Sequence, residues 1–232
     1  MNISDVRKII KKLRNKKKAA LLQRYFKTGP GEYAEGDIFY GITVPVSRKL
    51  AVRFKELKLE DIIGLLKSPV HEERLVALII LISKYRKSDI AGREKIYSIY
   101  LNHTRYINNW DLVDVTAKCI VGDFLFNRNK APLYALARSP SVWERRIAVL
   151  STFYFIGKNE FSDALKIARM LLSDEHDLIH KASGWMLREV GKRNMAAEEG
   201  FLKKYSKKMP RTMLRYAIEK FPEHKRRVYL CR

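Results

Sequence analysis

The chain has 232 residues, with 47 Lys and Arg set against 25 Asp and Glu for a formal charge of +22, and 47% of it is hydrophobic. Such a composition supports a packed core, argues against wholesale disorder, and calls for a polyanionic partner, with nucleic acid ahead of a membrane surface. No run of 18 apolar residues and no apolar leader are present, so a soluble, cytoplasmic protein is expected, associated with the nucleoid if the polyanion is DNA.

In chain order, residues 1–60 read as an N-terminal capping region and residues 61–232 as repeats of about 35 residues, the whole forming a single domain. The first segment carries the dense basic run Lys11, Lys12, Arg14, Lys16, Lys17 and Lys18, which suits a phosphate backbone or a solvated helix face equally well. Gly29 to Gly36 is turn-rich and reads as a surface loop, with ligand contact left open. Asp37 to Val46 comes nearest to a strand, but Gly41 and Pro45 interrupt it. It reads instead as a loop entering a helix whose first turn holds Pro45.

Beyond residue 60 apolar residues recur at helical spacing, as in Leu75, Leu78, Ile79 and Ile82, or Phe161, Ala164, Leu165, Ala168 and Leu172. Sustained strand alternation is absent, so the expected fold is all-α. Ser68-Pro69, Thr104-Arg105, Ser139-Pro140, Ser173-Asp174 and Met209-Pro210 mark helix starts 36, 35, 34 and 36 residues apart. Nine residues after each first member stands a core-type residue: Ala77, Val113, Ala148, Ala182 and Ile218. Two helices per period of about 35 residues predict an α-solenoid with repeats close to HEAT or TPR length, whose concave basic face would track a phosphate backbone.

Asn108-Asn109-Trp110-Asp111-Leu112-Val113-Asp114 is the most informative stretch, because Trp110 and Asp114 lie four apart and share a helical face. A core tryptophan beside a solvated aspartate has the same pattern. In a chain this basic, however, a carboxylate in the binding groove repels phosphate and asks for a compensating role, such as stabilising positive charge on a sugar. Trp143-Glu144-Arg145-Arg146 offers guanidinium groups suited to phosphate; Arg145 suits an intra-repeat ion pair as well. Trp185 follows Gly184, and counted from Ser173 it does not share the direction of Asp114, so either that helix starts elsewhere or Trp185 is a core residue, the reading that spacing favours. His176 and His180 have helical metal-ligand spacing without a third ligand, and no metal or cofactor is expected. Cys119 and Cys231 form no disulfide framework.

These residues together resemble the DNA alkylation repair glycosylases of the AlkD type, which are HEAT-like repeat proteins. The likeness spans nearly the whole chain and rests on Arg24-Tyr25, on Phe39, Gly41-Ile42, Pro45 and Arg48, on Trp110-Asp111-x-x-Asp114, on Trp143-x-x-Arg146, and on Gly184-Trp185-x-Leu187-Arg188-Glu189. The resemblance implies a monomeric, monofunctional, metal-independent glycosylase of base excision repair that acts on cationic purines of the 3-methyladenine and 7-methylguanine type. It implies that Asp114 is the catalytic carboxylate, that Trp110 and Trp185 flank the lesion's deoxyribose, and that Arg146 grips its phosphate. Tyr25, Arg48, Arg145 and Arg188 become further DNA contacts. The resemblance also places Trp185 at the lesion, against the core reading from spacing, and implies that base flipping is not required. The sequence departs from the family in the glycine-rich insertion after Lys27 and at Asn109, where some members carry an aromatic residue. A non-catalytic relative binding damaged or branched DNA is the first alternative and a protein-binding scaffold the second.

Overall fold

The computed structural model describes residues 1–231. Among them the regular structure is helical, and the one β-type contact is an isolated bridge between Ile38 and Val70. The expected all-α class holds, and the five spaced core residues Ala77, Val113, Ala148, Ala182 and Ile218 are all buried. No helix among the described residues is long and apolar enough to cross a membrane. Chain contacts group into two compact units, Met1–Thr116 and Ala117–Arg232.

The first unit begins with α1 (Ile3–Lys12), closed at its start by a capping box between Asn2 and Asp5, and α2 (Lys16–Tyr25), where Asn15 accepts from the Lys18 N–H. After a long loop come α3 (Val44–Arg53), with Pro45 in its first turn as expected, and α4 (Leu59–Leu66). The next helix, α5 (His71–Lys87), is buried on nearly every side: twelve of its 17 residues are inaccessible, including the charged start His71-Glu72-Glu73-Arg74. It is the axis of the unit, with α1, α3, α4 and then α6 (Ile90–Asn102) packed around it. A 3-10 turn, Thr104–Tyr106, leads to α7 (Trp110–Ala117).

The loop before α3 follows the path that its glycine predicts. Gly41 adopts φ +80°, a left-handed conformation natural to glycine, and a Cβ there would lie 2.4 Å from the Asn15 carbonyl oxygen. The buried Glu72 carboxylate accepts the N–H groups of Tyr40, Gly41 and Ile42 at 2.8 to 3.1 Å. One α5 side chain thereby satisfies three consecutive loop donors, which is how an irregular segment can enter the interior.

The second unit continues through a π turn, Lys118–Gly122, and the short α8 (Asp123–Leu125) to helix pairs. These are α9 (Ala131–Ala137) with α10 (Val142–Gly157), α11 (Ser162–Met170) with α12 (Asp177–Gly191), and α13 (Met195–Tyr205) with α14 (Arg211–Ala217). The final α15 (Glu223–Leu230) follows a 3-10 turn and places Tyr229 in the core. Within this unit the second helix of each pair packs on the next, α10 on α12 and α12 on α14, the stacking that a helical repeat requires. Gly122 meets the Ser151 carbonyl and Tyr154, and Gly184 meets the Met213 carbonyl and Tyr216, so the two close approaches have the same sequence offsets of 29 and 32.

Two expected helix starts move by more than two residues. Thr104 begins the separate 3-10 turn, and α7 starts six residues later at Trp110. Ser173-Asp174 belongs to the turn ahead of α12, which starts at Asp177 with the His176 ring accepting the Leu178 N–H. Local polar capping explains the second: Asp174 accepts the His176 N–H and receives Arg145, which extends the turn before helix can begin.

Candidate functional site

In the first unit the expected aromatic residues come together. Trp110 is the first residue of α7 and is half-buried. Its indole stacks on Phe26, with centroids 5.1 Å apart and planes 19° from parallel, and meets the ring of Tyr25 nearly edge-on at 6.0 Å. Tyr25 ends α2 and remains 64% exposed, so an aromatic edge beside Trp110 is available from outside. Such ring contacts are worth about 0.5 to 1.5 kcal/mol each beyond the area they bury. The Gly29–Gly36 loop takes part too: its Tyr33 is hydrogen-bonded to the Trp110 side chain. Burial pushes the Tyr33 phenol up, and the bond from Trp110 opposes that rise.

Asp114 is the fifth residue of α7, half-buried and one turn beyond Trp110. Arg48 is exposed on α3.

Behind Trp110 lies a charged cluster that no sequence spacing announced. His71 Nε2 is 2.8 Å from Asp111 Oδ2 and His71 Nδ1 is 3.6 Å from Asp37 Oδ2. Arg74 Nη2 donates to the same Asp37 oxygen at 2.5 Å, and Asn108 Nδ2 donates to Asp37 Oδ1 at 3.3 Å. Burial alone would lower the His71 pKa, but the Asp111 and Asp37 carboxylates outweigh it and the net direction is up. Asp37 is held below the usual carboxylate range: burial opposes ionisation, and His71 and Arg74 overcome it. The imidazole also stacks on Phe39 at 4.3 Å, Phe39 on Phe26 at 4.9 Å, and Phe26 on Trp110, so a run of rings joins His71 to Trp110. A cavity of about 310 Å³ between α2 and the start of α3 has Phe26, Phe39, His71 and Asp111 in its wall. The one available signal was the charged run at residues 71 to 74 immediately before an apolar stretch, which reads as ordinary acidic enrichment of a first helical turn.

In the second unit Arg146 is buried, the fifth residue of α10, and donates from Nη1 to the Leu178 carbonyl at 2.5 Å. Trp143 is buried one turn earlier. Arg145 forms an ion pair, but with the next repeat rather than within its own, with Nε 2.6 Å from Asp174 Oδ2 in the turn before α12, and it also donates to the Ser139 and Pro140 carbonyls. Trp185 is the ninth residue of α12 and half-buried, with its indole N–H donating to Glu189 Oε1 at 3.1 Å and its ring 5.6 Å from Phe153. Lys118 lies 4.7 Å above that Phe153 ring. Arg188 pairs with Glu219 and approaches Glu189. His176 caps α12 and His180 contacts the Asp174 carbonyl, so each has a structural use.

The observed helix starts revise the sequence-based directions. Asp114 and Arg146 both stand fifth in their helices, and Trp185 stands ninth, which is one turn later on the same face. The core reading of Trp185 came from a start placed three residues too early.

The family model described as DNA alkylation repair enzyme matches residues 6–221. Among solved structures, a predicted DNA alkylation repair enzyme from Enterococcus faecalis aligns with a TM-score of 0.70 at 18% identity, over 90% of this chain and 97% of that one. The smu.31 protein of Streptococcus mutans UA159 aligns with a TM-score of 0.53 at 19% identity, over 95% of this chain and 99% of that one. No curated protein matches the chain. At these identities the two structures speak to the fold.

Proposed function

We propose, from the premise that this chain belongs to the family of DNA alkylation repair enzymes, that it hydrolyses the N-glycosidic bond of cationic alkylated purines in duplex DNA. Alkylation at N3 or N7 makes the purine a cation, so its departure as a neutral base transfers positive charge to an oxocarbenium-like sugar. The carboxylate of Asp114 is the group that stabilises this charge and directs water, as carboxylates do in sugar hydrolysis. Trp110 and Trp185 offer ring faces to the cationic nucleotide, and Arg146 offers donors to its phosphate. Tyr25, Arg48, Arg145 and Arg188 are proposed as further DNA contacts.

The observation that carries the reading is the start of α7. Trp110 is held there by Tyr25, Phe26 and Tyr33, and Asp114 follows one turn later. Side chains from α2 and its following loop thus fix the aromatic plane, and the carboxylate stands one turn beyond it on the same short helix. Incubation with methylated duplex DNA tests it: free 7-methylguanine or 3-methyladenine and alkali-labile abasic sites are the expected products. Binding without base release would leave a DNA-binding module.

A further inference from the structure

The cluster behind Trp110 grips α7 on both sides of that residue. Asn108, two positions before it, donates to Asp37, and Asp111, one position after it, meets His71. Asp37 and His71 face each other with Arg74 bound to Asp37 from the same helix as His71. The ring run from His71 through Phe39 and Phe26 reaches Trp110 by a third route. Every route from the buried imidazole therefore ends at the first turn of α7, which sets the direction of Trp110 and, one turn on, of Asp114.

An imidazole between two carboxylates can donate to both only when it is protonated, because the neutral ring carries a single N–H. Here Nε2 is at hydrogen-bond distance from Asp111, whereas Nδ1 is 3.6 Å from Asp37 and has no hydrogen-bond partner. The Asp37 side is thus the adjustable end of the pair. His71 also lines the cavity between α2 and α3, although the residue is 2% exposed and its Nδ1 is buried.

We propose that His71 is a positioning residue: through Asp111 and Asp37 its imidazolium holds the first turn of α7, and with it Trp110 and Asp114, in the posture that glycosidic cleavage uses. This rests on the glycosylase reading above. The charged groups that face His71 are Asp111 from α7, Asp37 from the loop before α3, and Arg74 from its own helix. The two carboxylates favour the imidazolium and Arg74 disfavours it, the balance lying with the carboxylates. Loss of the proton removes one of the two straps and lets the start of α7 shift.

The test compares wild type with His71→Gln, which can still donate to one carboxylate but cannot carry the charge. Two signals are followed against pH: kcat and KM for 7-methylguanine release, and the NMR resonance of the Trp110 indole N–H, assigned by its loss in Trp110→Phe. For wild type, kcat is expected to fall about tenfold as pH rises through the His71 titration with KM within twofold, and the indole resonance is expected to move over the same range. His71→Gln should hold kcat near the wild-type high-pH level and remove the shift in the resonance. A His71→Gln protein that titrates like wild type in both signals, or that loses thermal stability alone, overturns the proposal. If His71→Gln fails to fold, Asn108→Ala, which cuts one strap and leaves the His71–Asp111 contact intact, takes its place. An unmoved indole resonance and an unchanged kcat in that variant equally overturn the proposal. If wild type releases no purine, the glycosylase reading fails, while the indole resonance of the same samples still decides whether His71 sets Trp110.

Discussion

The Gly41 N–H donates to the Glu72 carboxylate at 2.8 Å from a backbone held at φ +80°. Conformation and contact require the same residue, because a Cβ at this position would also lie 2.6 Å from the Ala19 backbone nitrogen. Gly41→Ala is expected to cost about 2 to 3 kcal/mol of stability, from left-handed strain and the forced separation from α2. Urea unfolding measures it; a loss under about 0.5 kcal/mol would mean that the loop relaxes freely.

Asp114→Asn removes one negative charge and keeps the side-chain shape. Release of 7-methylguanine is expected to fall at least a hundredfold, with affinity for DNA equal or higher, since a phosphate-repelling group is gone. Single-turnover excision assays and a fluorescence titration on the same duplex supply the two numbers. Unchanged excision removes Asp114 from its role.

Arg146→Ala carries a structural and an electrostatic expectation. The buried guanidinium donates to the Leu178 carbonyl, and its removal should cost about 1.5 to 3 kcal/mol, the range for hydrogen bonds to charged groups. If Arg146 also contacts a phosphate, the slope of log affinity against log salt should flatten by about 0.9. A stability loss with an unaltered slope would assign Arg146 to the repeat alone.

Much of this layout was legible in the chain. Helical periodicity gave the fold class, Pro45 marked the entry to α3, and the five core positions were placed because burial repeats with the helix pairs. The starts at Thr104 and Ser173 went wrong because a polar residue that suits a cap also suits a turn ahead of one, and Asp174 and Thr104 serve the turn. The cluster of Asp37, His71, Arg74, Asn108 and Asp111 had no spacing to reveal it. Its members come from a loop, a helix start and a segment some 40 residues further on, and only packing unites them.

Glu198 gives the protein a pH dependence of its own. Burial, its largest cause, and the neighbouring Glu199 push its carboxyl up to about 8 against the opposing effect of Arg188, and its Oε1 has no hydrogen-bond partner. A carboxyl raised in the folded state keeps its full contribution below the unfolded value of 4.5 and loses stability as pH rises toward about 8. The span corresponds to a decline on the order of 3 to 5 kcal/mol across that window. Glu198→Gln should flatten the decline and leave the variant more stable than wild type above pH 8 in urea unfolding at matched ionic strength. A parallel pH profile for the two proteins would refute this account.

The matched approaches of Gly122 to Ser151 and of Gly184 to Met213 mean that the spacing of neighbouring backbones in the second unit is set by atoms that are missing. A single methyl group at either seam would meet a carbonyl oxygen at 2.4 Å, and a carbonyl cannot swing aside as a side chain can. Widening one seam would tilt the helix beyond it and carry the error to the next junction. A methyl group at Gly122 would then reach Arg146 on α10 and, one junction further, Trp185 on α12 as a change of pitch.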